Sequence, residues 1–201
     1  SSDTLECYQI SGGSYNLQVA TSGVFRDPSA WYYISFIYDS ANATSTNRVQ
    51  IYVNGVLQAV SYTIGPFALN TASQANVASR PHAIGRILYT SAQYFDGYLA
   101  EVNFIDGQAL TPSSFGSTNA QTGVWQPAKY TGTYGTNGFY LPFSNIALTS
   151  GSNTGLGQDF SGNGNYWNTN NISVTAGSTY DAMIDSPTIN LTSTTQPVGN
   201  Y

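Results

Sequence analysis

The segment RVQIYVNGVLQAV, residues 48–60, constrains the fold more than any other part of the chain. Val49, Ile51 and Val53 alternate with Gln50 and Tyr52, so an extended ribbon here has one apolar face. Asn54-Gly55 supplies two adjacent residues that tolerate positive φ, and alternation resumes beyond them, which predicts a type I′ hairpin. The same period of two recurs in TLECYQI (4–10) and SYNLQVA (14–20), separated by the turn-forming SGG, and these read as a second hairpin. WYYISFIYD (31–39) is nearly continuous in apolar and aromatic residues, as expected of a central strand covered on both faces, and its Trp31 reads as a packing residue. HAIGRILY (82–89) and GYLAEVNFI (97–105) are predicted as two further strands. No stretch of ten or more residues has helical periodicity with caps; one helical turn is expected at 111–115, with Thr111 as N-cap and Pro112 at the first position. Many short strands with almost no helix predict an all-β chain, an antiparallel β-sandwich or jelly roll.

Composition narrows the function classes. Charged residues are 7% of the chain, against about 25% in ordinary soluble domains. Five basic residues against ten acidic ones cannot build a phosphate-neutralising patch, so nucleic acid is excluded as a partner. Anionic membrane surfaces are excluded on the same ground, and no apolar run approaches the roughly 18 residues that a spanning helix needs. One cysteine, Cys7, allows no internal disulfide. No basic and apolar leader opens the chain, so any targeting segment is expected to lie outside these residues.

From about residue 117 the sequence turns loop-rich, which sets expected regions at 1–116 and 117–201. The second holds one clear strand, GFYLPF (138–143), a Gly/Asn-rich turn, DFSGNGNYW (159–167), a weaker strand, NISVTA (171–176), and an irregular Thr-rich end. Taken in order, DPSAWYYISFIYD, NRVQIYVNGV and YFDGYLAEVNFIDGQALTPSSFG resemble the core strands of concanavalin A-like (laminin-G-like) lectin/glucanase modules. The version found in bacteriophage tail and virion structural proteins is more similar still, since there the module is followed by segments like TGVWQPAKYTGTYGTNGFYLPFS, DFSGNGNYWNTNNISVTAG and YDAMIDSPT. The resemblance implies a concanavalin A-like β-sandwich over 1–116, with further strands before the point where Ser1 stands, then a loop-rich β extension or the start of a second module. It also implies a non-enzymatic virion structural protein of a tail, fibre or surface appendage. Such a protein would sit on an extracellular particle, pack with its own copies or other virion proteins, and contact host-surface glycans. A secreted carbohydrate-binding module and a polysaccharide-cleaving hydrolase are the alternatives.

Catalysis is not expected. Retaining glycosidases need two carboxylates about 5 Å apart, which the glucanases of this family place at alternate positions of one strand. In GYLAEVNFI the residue two beyond Glu101 is Asn103, and Asp106 falls on the opposite face, so Glu101 reads as one position on a packing strand. His82, the only histidine, lacks a glycine-flanked nucleophile partner, and zinc lacks ligands. DFSGNGN places oxygen-bearing residues where a calcium loop has them, making Asp159, Asn163 and Asn165 candidate Ca²⁺ ligands, but the twelfth position is Asn170 rather than Glu. A Gly/Asn turn that cradles its own backbone is the competing reading. Trp125, Tyr130, Tyr134 and Trp167 lie in turn-rich segments, and they are the candidate contacts for carbohydrate or for a neighbouring subunit.

Overall fold

A computed structural model describes residues 3–77, 80–88, 93–175 and 181. Among these, 3–77 with 108–131 form one compact unit, and those of 80–107 with those from 132 onward form a second.

In the first unit, β1 (Glu6–Ser11), β2 (Ser14–Thr21) and β6 (Val60–Ile64) make an antiparallel sheet in the order β1-β2-β6. Gly12 and Gly13 both take positive φ, which lets a two-residue turn match the twist of the strands it joins. A second sheet, in the order β3-β4-β5, holds β3 (Ile34–Tyr38), β4 (Val49–Val53) and β5 (Val56–Leu57). Asn54 and Gly55 have φ of 49° and 77°, and Val53 pairs with Val56, so the expected type I′ hairpin is present. Leu17 and Val19 from β2, Val49 from β4 and Phe67 form a buried cluster, with Cys7, Tyr38, Val60 and Tyr62 packed against it. Alternation selects these residues: Leu17 and Val19 are at most 1% exposed while their neighbours along β2 are not buried.

Arg48 adjoins that cluster at 8% exposure. Its Nε donates to Asn42 O at 2.9 Å, its Nη1 to Phe67 O at 2.6 Å and its Nη2 to Ala43 O at 3.4 Å. One guanidinium thereby ties the 39–48 loop to the segment after β6. β8 (Gly116–Thr118) and β9 (Trp125–Pro127) complete this unit as a small hairpin. Its Trp125 ring stacks on Tyr33, with centroids 5.0 Å apart, and lies so close over Gly55 and Gly116 that a Cβ at either position would collide with it.

Burial pushes the Tyr33 phenol up to about 12, opposed by a hydrogen bond with Ser35. Folding therefore favours the neutral phenol: its stabilisation is whole below the ordinary value of 10 and is lost as pH rises through about 12. Phenolate absorbance should show Tyr33 titrating late and together with loss of structure, and Tyr33→Phe should reduce that alkaline lability. Ordinary ionisation near pH 10 with the fold intact would contradict this.

In the second unit β7 (Val102–Phe104) pairs antiparallel with β10 (Phe139–Leu141), bringing Phe104 and Phe139 into a stack with centroids 5.5 Å apart.

Five expectations need correction. The strand expected over 97–105 is only Val102–Phe104, because Glu101 takes φ of 55° and leaves the extended region. The 82–89 segment contributes a single bridge at Arg86 among its described residues, and 171–175 contain no strand; residue 176 and the Thr-rich end lie outside the described residues. β3 lies at the edge of its described sheet rather than at the centre, with Ile34 40% and Phe36 49% exposed, and Trp31 precedes the strand at 39% exposure. The helical turn is a 3₁₀ turn, Pro112–Ser114, in which Thr111 is positioned as N-cap but does not cap; its hydroxyl meets Ser113 Oγ instead.

Candidate functional site

Tyr140 is the node of the polar structure in the second unit, and nothing in its alternation within GFYLPF marks it out from Phe139. It is 1% exposed, and its phenol donates to Glu101 Oε2 at 2.5 Å. Its backbone N–H donates to Asp159 Oδ1 at 2.9 Å, and its carbonyl accepts from Phe160 N. Burial first, and the Glu101 carboxylate second, hold the Tyr140 phenol far above its ordinary range, so at neutral pH it acts as a hydrogen-bond donor. Around it, the Tyr134 phenol donates to Asn103 Oδ1 at 3.0 Å, and Asn103 Nδ2 donates to Glu101 O at 3.0 Å. Asp106 Oδ2 accepts from Asn137 N and Nδ2 at 3.1 and 3.2 Å. The carboxylates that flank β7 and the amide within it are thus engaged with phenols and with the 134–138 turn. Glu101 meets a phenol, which cannot serve as the second carboxylate of a retaining hydrolase.

The Asp159 loop is a hydrogen-bonded turn built on one carboxylate. Asp159 is 3% exposed. Its Oδ1 accepts from Tyr140 N and from Ser161 N, and its Oδ2 accepts from Ser161 Oγ and Asn165 N, all within 2.8–2.9 Å. Asn163 Nδ2 donates to the carbonyls of Gly135 and Gly138, and Asn165 Nδ2 to those of Thr136 and Gly138. The three sequence-predicted metal residues are therefore brought together, but with N–H and O–H donors around both carboxylate oxygens. A hard cation needs about six to eight oxygen ligands, and this donor set does not fit one; it fits a turn anchored to 135–138.

The four aromatic candidates are divided between the two units. Trp125 and Tyr130 belong to the first unit, Trp125 under Tyr33 and Tyr130 against Phe115 with centroids 5.1 Å apart. Tyr134 and Trp167 belong to the second. Tyr134 is 7% exposed and stacked with Tyr140, so it is a core residue and not the exposed aromatic that its turn-rich context suggests. Trp167 is half-buried edge-on to Phe139. Cys7 is half-buried and burial pushes its thiol up, lowering the thiolate fraction a nucleophile requires, while His82 is exposed.

Short antiparallel strands with almost no helix make the described residues β-rich. A family model described as the concanavalin A-like lectin/glucanases superfamily matches residues 1–114, and the chain belongs to that superfamily. No curated protein and no solved structure matches the chain.

Proposed function

We propose that the chain is a non-catalytic, lectin-like assembly module of a virion surface appendage, its β-sandwich covering about residues 1–116, and that it packs against other copies or other virion proteins and adheres to host-surface glycans. Supporting this reading most directly is the open side of β3. Ile34 pairs opposite Val53 and Phe36 opposite Ile51, so each pair shares one face of the sheet. Yet Val53 and Ile51 are 5% and 0% exposed, while Ile34 and Phe36 are 40% and 49% exposed. The core face therefore continues past its cover onto an edge strand that carries no charge and no proline, the kind of edge that isolated soluble proteins avoid. With charged residues only 7% of the chain, little electrostatic repulsion opposes packing there.

Sedimentation of the intact chain over a concentration series tests the reading. Oligomers are expected, and Ile34→Lys with Phe36→Lys should return the 21.5 kDa monomer while leaving the circular dichroism spectrum unchanged. A wild-type chain that stays monomeric at high micromolar concentration, or oligomers indifferent to both lysines, would overturn it.

A further inference from the structure

The backbone groups of β3 point alternately toward β4 and away from it. Asn54 N donates to Tyr33 O at 2.8 Å and Asp39 N to Arg48 O at 2.9 Å, which fixes the odd-numbered residues of β3 as those that exchange hydrogen bonds with β4. β4 spends its own odd-numbered residues on its other side, where Val53 pairs with Val56 and Gln58 N donates to Ile51 O at 2.9 Å. The N–H and C=O groups of Ile34, Phe36 and Tyr38 therefore point away from β4, and no backbone partner meets them among the described residues. At the next such position the edge closes, since Ser40 O accepts from Asn70 N at 2.8 Å. What stays open is a short window, Ile34 to Tyr38, with Phe36 at its centre.

A strand laid against this window must offer donors and acceptors at alternate residues, and its side chains must suit the exposed Ile34 and Phe36. A second copy of β3 supplies both. Run antiparallel about a two-fold axis beside Phe36, it sets Phe36 against Phe36 and Ile34 against Tyr38 in both directions, with about six hydrogen bonds in all. A slide of two residues forfeits one facing pair, so the centred register satisfies most of the edge. Facing residues share one face of a sheet, and here it is the face that carries Val53 and Ile51, so the apolar surface of one copy runs on into that of the other. Charge selects the direction. No charged residue lies between Asp27 and Asp39; antiparallel pairing sets Asp39 opposite the uncharged Tyr33, whereas a parallel pair in register sets Asp39 beside its own copy. We infer that β3 is a self-complementary edge, through which two copies of the chain join by antiparallel pairing centred on Phe36 and merge their β3-β4-β5 sheets into one. This rests on the assembly half of the reading above and commits it to a second copy, a register and a symmetry.

Proline and cysteine variants of the intact chain test it. Proline removes an N–H without breaking a ladder when that N–H points off the sheet. Ile34→Pro keeps an apolar side chain and leaves the bonds to β4 alone, so it should weaken self-association in sedimentation at least about tenfold, with the circular dichroism spectrum unchanged. Register is read by mild oxidation in a Cys7→Ala background verified as folded. Phe36→Cys should be trapped as a disulfide-linked dimer, because Cα atoms of a facing pair lie about 5.5 Å apart. Ile34→Cys should not be trapped, because its own copy stands four residues further along, about 13 Å away. Oligomers that survive Ile34→Pro yet dissociate with Ile34→Lys and Phe36→Lys would overturn the strand pairing while leaving the assembly reading in place. Trapping of Ile34→Cys as readily as Phe36→Cys, or of neither, would overturn the centred two-fold register. If Ile34→Pro loses the native spectrum, the two cysteine variants decide alone. A wild-type chain that stays monomeric would sink both the pairing and the reading beneath it.

Discussion

Asp159→Ala is expected to destabilise the chain by about 3–5 kcal/mol, because it leaves buried donors without an acceptor and each carries its own desolvation cost. The side chain accepts from Tyr140 N, Ser161 N, Ser161 Oγ and Asn165 N. Water can reach the exposed end of the loop, but Tyr140 is 1% exposed and its N–H would be left inside. Asp159→Asn keeps one acceptor and turns an amide NH₂ toward donors, so a smaller loss of about 1–3 kcal/mol is expected. Urea denaturation with and without a chelator separates the two accounts of the loop. With carboxylate oxygens already saturated by protein donors, chelator should leave the wild-type midpoint unchanged. A wild-type midpoint that falls on chelation as far as it does on Asp159→Ala would mean that a bound cation holds the turn.

Arg48→Ala is expected to cost about as much, ~3–5 kcal/mol, by stranding the buried Phe67 carbonyl beside the core and freeing the 39–48 loop from its ties through Asn42 O and Ala43 O. Three acceptors converge on the guanidinium from Asn42, Ala43 and Phe67, and Phe67 itself belongs to the central cluster. Lysine should not rescue the loss, since a single ammonium cannot span carbonyls that a planar fork reaches together. The check is again the urea midpoint, read for Arg48→Ala and Arg48→Lys. If Arg48→Lys matches wild type, the charge alone matters and the bridging role is wrong.

The parts of the fold that were legible in the sequence are those decided by neighbours along the chain. Asn54-Gly55 between alternating strands determines a hairpin locally, as Gly12-Gly13 does, and both are present. The apolar run at 31–39 was misleading because burial depends on what lies beside a strand: Ile34 and Phe36 are as hydrophobic as the buried residues opposite them, and only the pairing partner on one side is lacking among the described residues. Strict alternation over 97–105 failed at one backbone angle, that of Glu101, which no side-chain pattern announces. The DFSGNGN spacing did mark a real cluster, since Asp159, Asn163 and Asn165 come together. Spacing cannot say whether the oxygens or the nitrogens of the amides face inward, and here the nitrogens are bound to the carbonyls of residues 135–138. Tyr134 looked like a surface aromatic because turn formers surround it; its burial comes from Tyr140 and Asn103, 6 and 31 residues away in sequence.

The proposed function has this chain binding and packing without cleaving, with Glu101 serving as the acceptor for Tyr140 rather than as an acid or nucleophile. The direct test is release of reducing ends from β-glucans and mannan by the intact wild-type chain and by Glu101→Gln, each verified as folded. The account predicts no release above buffer from either protein. Hydrolysis by the wild type that disappears in Glu101→Gln would contradict it.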